Sequence, residues 1–180
     1  MRRLWLVGGF ATVLMAFWGS PAHAVQSVTV DFTNAPQGTH FVTGTPSPTC
    51  TVTAQTVTCP AAAFELAGVG NTNATATLTA QYSAIVDCFN PGANRNNPIE
   101  SHETSFTETQ AATLTPNRNG QLSVGARSVS PTAAELDDAT TCPNANWDAQ
   151  IRGGSLTLES FTYSLTFAGF TEPAVLITGP

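Results

Sequence analysis

The sequence predicts an all-β protein, an antiparallel two-sheet β-sandwich with about eight to ten strands. Three observations lead to this prediction: apolar and polar residues alternate in several stretches, turn-forming residues separate those stretches, and helical patterns are nearly absent. The clearest stretch is residues 74–88, ATATLTAQYSAIVDC, in which every even position is apolar. A period of two over so long a run indicates a strand with one buried face. A closed barrel is the alternative architecture.

The other predicted strands show the same alternation between turn signals. They cover residues 28–32, 41–42, 50–59 (as a hairpin), 61–66, 99–115, 121–129, 156–167 and 174–178. Residues 99–115 are longer than most strands, so we expect a bend or a bulge there, or one long segment that serves two sheets. In residues 156–167 the apolar positions change from even to odd around Glu159 and Ser160, which indicates a β-bulge.

One short helix is predicted near residues 131–138. Ser130 is a typical N-cap, and Pro131 suits the first helical position because the N–H it lacks would have no partner there. Residues 89–98 and 140–154 are rich in polar and turn-forming residues and have no apolar period. We predict that both are surface loops.

Residues 1–24 are typical of a signal peptide. Two arginines precede an apolar run over residues 4–18, and Ala22-His23-Ala24 fits a small-x-small cleavage site. The apolar run is shorter than the roughly 20 residues that span a bilayer. We therefore expect secretion after cleavage near Ala24–Val25, no stable membrane insertion, and a single β-sandwich domain over residues 25–180.

The charge of the chain argues against some partners. The residues after position 24 hold four arginines, no lysine and twelve acidic residues, so their net charge is −8. Nucleic-acid binding needs clustered cationic side chains, and these arginines are scattered along the chain. We therefore expect no nucleic-acid partner. The sequence leaves the oligomeric state open.

Four cysteines allow three disulfide pairings. When the chain folds back about residues 54–55, Cys50 lies opposite Cys59 at a Cα separation of about 4.5 Å, which a disulfide tolerates. This hairpin predicts the Cys50–Cys59 bridge and leaves Cys88 to pair with Cys142. Exported proteins meet oxidising conditions, so we interpret the cysteines as structural bridges rather than as ligands of a metal.

Four parts of the sequence resemble uncharacterised small exported proteins of actinobacteria. They are the hairpin Cys50-TVTAQTVT-Cys59, the strand end Val86-Asp-Cys88, the loop Cys142-Pro-Asn-Ala-Asn-Trp147 and the ending GSLTLESFTYSLTFAGFTEP over residues 154–173. The resemblance implies an immunoglobulin-like β-sandwich. It supplies no catalytic residues.

Candidates for catalysis are few, because the histidines after position 24 are His40 and His102. His102 shares a strand face with Glu100, so a secreted hydrolase centred on this pair is an alternative function. The motifs GxSxG and HExxH are absent from the sequence. Asp137 and Asp138 lack the ligand spacing of a calcium loop. We therefore predict a non-catalytic protein without a metal or another cofactor.

A Cys88–Cys142 bridge would join two polar loops, residues 89–98 and 143–154. The candidate ligand-binding residues in these loops are Asn90, Asn94, Arg95, Asn144, Asn146, Trp147, Asp148 and Arg152. Amide and guanidinium groups around an aromatic ring suit a sugar, so we predict a binding or cell-envelope-associated protein whose partner is a glycan or another secreted protein. The alternative is that Trp147 packs over the bridge and the asparagines only form turns.

Overall fold

The structure is a computed structural model that describes residues 26–92, 97–132, 136 and 140–180. These residues form twelve β-strands. The strands are β1 Ser27–Val30, β2 His40–Phe41, β3 Thr51–Thr53, β4 Thr56–Cys59, β5 Phe64–Ala67, β6 Ala74–Phe89, β7 Glu100–Leu114, β8 Gln121–Val124, β9 Arg127–Val129, β10 Asp148–Ile151, β11 Thr157–Phe167 and β12 Val175–Gly179. The strand pairs are antiparallel, which confirms the predicted all-β, antiparallel fold.

Most of residues 131–138, where a short helix is predicted, lies outside the described residues. The described Leu136 is helical, and its amide donates a hydrogen bond of 3.0 Å to the carbonyl of Thr132. A 3₁₀ turn, which the sequence did not predict, lies at Phe32–Asn34. Asp31 caps this turn, because its carboxylate accepts hydrogen bonds from the hydroxyl and the amide of Thr33. These bonds lower the pKa of Asp31. Residues 1–25, which include the predicted signal peptide, also lie outside the described residues.

The strands form three sheets, whereas the sequence predicted two. The large sheet has six strands in the order β1-β12-β11-β6-β10, with β7 paired to the other side of β6. The two small sheets have the orders β2-β5-β8 and β3-β4-β9. The third sheet arises because residues 121–129, predicted as one strand, divide at Gly125 and Ala126 into β8 and β9. β8 then pairs with β5, and β9 pairs with β4.

β6 is the centre of the large sheet, and its two faces differ in burial. Its even positions, from Ala74 to Cys88, are all buried, as the sequence predicts. We call this side of the large sheet the inner face and the opposite side the outer face. The register continues the inner face onto β11, where Phe161, Tyr163, Leu165 and Phe167 lie beside Ala80, Leu78, Ala76 and Ala74.

The two small sheets pack on the inner face of the large sheet. One buried core contains residues of all three sheets, among them Val57 of β4, Phe64 of β5 and Leu122 of β8. Tyr82 on β6 ties the large sheet to the β3–β4 turn, because its hydroxyl donates a hydrogen bond of 2.8 Å to the carbonyl of Gln55. The outer face is the side of the large sheet that points away from this core, and it faces the solvent.

β7 pairs with β6 along its whole length, from Glu100 opposite Cys88 to Leu114 opposite Ala74. The register has no break, so the bulge expected in this stretch is wrong, and β7 belongs to one sheet rather than two. The physical reason is that β6 has 16 residues and offers β7 a partner at every position. Among the described residues, no strand pairs with the other edge of β7.

The predicted disulfides and the predicted bulge in β11 are confirmed. The disulfides are Cys50–Cys59, with Cα atoms 4.5 Å apart, and Cys88–Cys142, with Cα atoms 5.9 Å apart. The register between β6 and β11 shifts between Leu158 and Ser160, where the sequence places the bulge. This shift keeps the apolar side chains of β11 on the inner face along its whole length.

Candidate functional site

The outer face of the large sheet contains a cleft of about 550 Å³. It lies where one side of β6 changes its partner, because residues 74–83 pair with β11 and residues 86–89 pair with β10. The cleft is lined by Ser83, Ala84, Ile85, Ser101, His102, Glu103, Arg152, Ser155, Thr157 and Glu159. Four of these residues carry hydroxyls, two carry carboxylates and one carries a guanidinium.

A tight turn between β10 and β11 fills the gap where β6 changes partner. The carbonyl of Ile85 accepts a hydrogen bond of 2.8 Å from the amide of Arg152, and the amide of Ile85 donates one of 3.0 Å to the hydroxyl of Ser155. The Ser155 hydroxyl in turn donates to the Arg152 carbonyl at 2.8 Å. Gly154 has a φ of 77° in this turn, a conformation that glycine adopts without strain. The turn therefore holds Arg152 at a fixed position beside β6.

The guanidinium of Arg152 is bound to a buried carboxylate. Asp87 is 9% exposed, and its Oδ1 accepts hydrogen bonds from Arg152 Nη2 at 2.7 Å and from Ser101 Oγ at 2.6 Å. Its Oδ2 accepts a third bond, of 3.1 Å, from Arg152 Nε. This two-point contact fixes the plane of the guanidinium. The Arg152 side chain is nevertheless 45% exposed, so the fixed group is accessible to a ligand.

The Asp87–Arg152 pair shifts the pKa of both partners. The hydrogen bonds from Arg152 and then from Ser101 lower the pKa of Asp87, although burial acts in the opposite direction. The hydrogen bond to Asp87 raises the pKa of Arg152. Both groups are therefore charged at neutral pH and their charges cancel. The net charge of the cleft then comes from the carboxylates of Glu103 and Glu159.

The bulge in β11 places Glu159 in the cleft. Glu159 is the extra residue between Leu158 and Ser160, and it has no residue opposite it on β6. Its Oε1 accepts a hydrogen bond of 2.5 Å from the hydroxyl of Ser83, which is buried on the outer face. The bulge thus directs a carboxylate toward the site and the serine fixes its orientation.

Three of the predicted ligand-binding asparagines lie in turns. Asn90 Oδ1 accepts a hydrogen bond of 3.0 Å from the amide of Gly92. Asn144 Oδ1 accepts one of 3.0 Å from the amide of Asn146. The two accepting side chains stabilise their own loops, which agrees with the alternative that the asparagines form turns. Asn90, Asn144 and Asn146 are not part of the cleft lining.

The other predicted ligand-binding residues lie in different parts of the structure or outside the described residues. Asn94 and Arg95 lie outside the described residues. Trp147 is half-buried, and it is not among the side chains that pack on the core. Asp148 begins β10, so the predicted surface loop over residues 140–154 contains a strand that pairs with β6. Arg152, which follows β10, is the predicted ligand-binding residue that lines the cleft.

The residues of the hydrolase alternative are partly brought together. Glu100 and His102 share the inner side of β7, as predicted. His102 belongs to the cleft lining although its side chain is on the opposite side of β7 from Ser101 and Glu103, and Glu100 is not part of the lining. His102 Nδ1 is buried without a hydrogen-bond partner among the described residues, and Ser101 donates its hydroxyl to Asp87. The described contacts therefore contain no hydrogen-bonded chain of serine, histidine and carboxylate.

Most of the cleft residues do not stand out in the sequence. Ser83 and Asp87 occupy odd positions of β6, which the alternation assigns to solvent, yet both are buried. The alternation identifies their face but not their neighbours. Arg152 is 65 residues further along the chain and reaches Asp87 because β10 pairs with β6. The signal available in the sequence was an acidic residue on the polar face of a long strand. Such a residue does not indicate which basic residue will pair with it.

The described ranges contain no group of three or more His, Cys, Asp and Glu side chains that could hold a metal ion. Within the same ranges, no helix is long and apolar enough to cross a membrane. The four cysteines form two disulfides, which is typical of proteins that fold in an oxidising compartment.

Fold and site together define an antiparallel all-β protein with two disulfides and a polar cleft on the outer face of its large sheet. No protein family, curated protein or solved structure matches this chain. A function must therefore be argued from the cleft itself.

Proposed function

We propose that this protein is secreted and binds a glycan, without catalysis, in the cleft on the outer face. The observation that carries the proposal is the guanidinium of Arg152, which Asp87 and Ser101 hold in place among hydroxyls and carboxylates. Sugar hydroxyls both donate and accept hydrogen bonds, and polar groups that are already oriented can satisfy them without reorganisation. A volume of about 550 Å³ is within the range of small-molecule sites and suits about one or two sugar rings.

The charge of the cleft favours a neutral sugar over an acidic one. The charges of Arg152 and Asp87 cancel, and Glu103 and Glu159 leave the lining negative. A phosphorylated or carboxylated sugar would be repelled by both remaining carboxylates. The overall negative charge of the chain acts in the same direction.

Secretion and association with the cell envelope belong to the same proposal. The features that support secretion are the signal-peptide pattern of residues 1–24 and the two disulfides. The immunoglobulin-like sandwich is also a proposal, supported by the core that the large sheet shares with the two small ones. Fractionation of producing cells tests the location. We expect a chain beginning near Val25 in the medium or the wall, and an uncleaved chain in the membrane fraction would contradict secretion.

Substitution of Arg152 tests the binding site. Neutral oligosaccharides are titrated by calorimetry into the purified protein and into the variants Arg152→Gln and Arg118→Gln. We expect Arg152→Gln to weaken sugar binding by about tenfold, because it removes a charge-assisted hydrogen-bond donor. Arg118→Gln, in the exposed turn before β8, is the matched control and should bind as the unaltered protein does.

Two results would overturn the binding site. One is that the unaltered protein binds no oligosaccharide, and the other is that Arg152→Gln binds as tightly as the Arg118→Gln control. Since Arg152→Gln leaves Asp87 without its main partner, the thermal unfolding of each variant is measured in parallel. The double variant Asp87→Asn/Arg152→Gln removes that unpaired charge and should show the same loss of binding.

The alternative function is a secreted hydrolase centred on His102 and Glu100. The observation that favours it is that Ser101 and His102 both belong to the cleft lining, although the side chain of His102 is on the inner side of β7 and that of Ser101 is on the outer side. A hydrolase would release products from a bound oligosaccharide, and His102→Ala would abolish that release. A binding protein returns the oligosaccharide uncut, which chromatography of the recovered sugar shows directly.

A further inference from the structure

A field of uncharged side chains extends from the cleft along the outer face of the large sheet. Three strands contribute four positions each: Thr75, Thr77, Thr79 and Gln81 on β6, Thr107, Thr109, Ala111 and Thr113 on β7, and Ser160, Thr162, Ser164 and Thr166 on β11. We call these twelve residues the hydroxyl face, because ten of them carry hydroxyls. None of them is charged, and each is at least partly exposed.

The residues of the hydroxyl face lie in rows across the three strands. In one row, Thr79 of β6 lies opposite Thr109 of β7 and Thr162 of β11. The hydroxyls of Thr79 and Thr109 are 3.1 Å apart and share a hydrogen bond. Successive rows are about 6.7 Å apart along the strands, and neighbouring strands are about 4.8 Å apart. The rows form a regular array of groups that can both donate and accept hydrogen bonds.

The hydroxyl face is continuous with the cleft. The next row consists of Ser83, Ser105 and Thr157, and two of these residues, Ser83 and Thr157, line the cleft. From Ser83 to Thr75 the surface runs for about 26 Å, the length of eight residues of extended chain. It is this connection to the cleft that distinguishes the hydroxyl face from an ordinary exposed strand, on which threonine is common for its strand propensity.

We propose that the hydroxyl face extends the sugar site, so that the ligand is a neutral polysaccharide that enters the cleft at one end and lies along β6. This inference rests on the proposed sugar binding in the cleft. A surface with hydroxyls and no charge complements an uncharged chain of sugars, whose groups hydrogen-bond in every orientation. A protein partner would bring apolar or charged side chains that this face does not match. The length of about 26 Å accommodates several sugar units.

The dependence of affinity on chain length tests this inference. Calorimetry is done with neutral gluco-, manno- and galacto-oligosaccharides from disaccharide to octasaccharide. In a series that binds, we expect each unit beyond the cleft to raise the affinity about threefold, the effect of one weak hydrogen bond. The variant Thr77→Val/Thr79→Val/Thr162→Val removes three central hydroxyls at nearly constant shape. It should bind every length with the affinity of the disaccharide.

A matched control makes the same change away from the outer face. Thr51 and Thr53 are exposed on β3, so Thr51→Val/Thr53→Val should keep the rise of affinity with length. Arg152→Gln should weaken the binding of every length by the same factor, because each ligand occupies the cleft.

The outcomes separate the two proposals. An affinity that does not rise with length, or a rise that survives in the triple valine variant, overturns the extended site and leaves sugar binding in the cleft intact. If no oligosaccharide of any length binds, both the sugar site and its extension are wrong.

Discussion

The two faces of β6 are governed by different constraints, although they alternate along one strand. On the inner face every even position from Ala74 to Cys88 is buried and apolar, because a polar group there would lose its hydrogen bonds to water. On the outer face the ladders on both sides already satisfy the backbone, so the partly exposed side chains from Thr75 to Gln81 contribute little to folding. A strand whose stability depends on one face can therefore carry a binding surface on the other.

The largest expected difference is between two adjacent residues of β6. Leu78 is fully buried on the inner face, and Leu78→Ala should lower the free energy of unfolding by about 3 kcal/mol through lost burial and a cavity. Thr79→Ala removes a hydroxyl pair with Thr109 on the outer face and should cost about 0.5 kcal/mol. Unfolding in urea measures both values. Equal losses would contradict the assignment of the two faces.

Two buried tyrosines sharpen the description of the inner face. Both are fully buried, but Tyr82 donates a hydrogen bond to Gln55, whereas the hydroxyl of Tyr163 has no hydrogen-bond partner among the described residues. Tyr82→Phe should therefore lower the free energy of unfolding by about 1 kcal/mol. Tyr163→Phe should leave it unchanged or raise it, because an unsatisfied buried hydroxyl is removed. A loss for Tyr163→Phe as large as that for Tyr82→Phe would show that its hydroxyl is satisfied in solution.

The pH dependence of the same variants gives a second readout. Burial raises the pKa of Tyr163 above its ordinary value of 10.0. Since the folded state then resists ionisation, stability is retained below pH 10 and is lost as the pH rises further. Tyr163→Phe should reduce this alkaline loss.

The smallest expected effect concerns Asp87 on the outer face. Its pKa in the folded protein is lowered from 3.8 by hydrogen bonds from Arg152 and Ser101. The ionised form therefore stabilises the fold above pH 3.8, and this contribution is lost as the pH falls through the lower pKa of the folded state. Asp87→Asn should shrink the acid-induced fall in Tm by a few degrees, measured by circular dichroism from neutral pH downward. Glu65→Gln, at an exposed position of β5, is the control and should leave the fall unchanged.

The sequence predicts well the features that one strand or one hairpin determines by itself. The buried face of β6, the bulge at Glu159 and the Cys50–Cys59 bridge each follow from local alternation or local spacing. Pairing by elimination then gave Cys88–Cys142. In each case the decisive residues are close together in the chain, so their pattern contains the answer.

Features that depend on distant pairing were not predicted. β10 spans Asp148–Ile151 within a stretch of turn-forming residues, and it becomes a strand because β6 has an open edge at Val86–Phe89. The division of residues 121–129 between two sheets depends likewise on the positions of β4 and β5. The alternation within one segment does not indicate which other strand will pair with it.

The predicted ligand site shows the same limit. Asparagine serves both as a turn former and as a hydrogen-bonding group for ligands, so composition could not separate the two roles. Asn90 and Asn144 have the first role. Arg152 lies in the cleft because the β10–β11 turn places it beside Asp87.

Among the described strands, β7 forms an edge of the large sheet, and this affects how molecules of this protein associate. A long strand at the border of a sheet is a template on which a strand of another molecule can add, which is a common route to aggregation. β7 carries Glu100, Glu103 and Glu108 along its length and has no arginine or lysine. Acidic side chains on a border strand oppose such addition, because edge-to-edge contact would crowd and desolvate like charges. The negative charge of the chain therefore favours separate molecules at neutral pH, and acid weakens that protection.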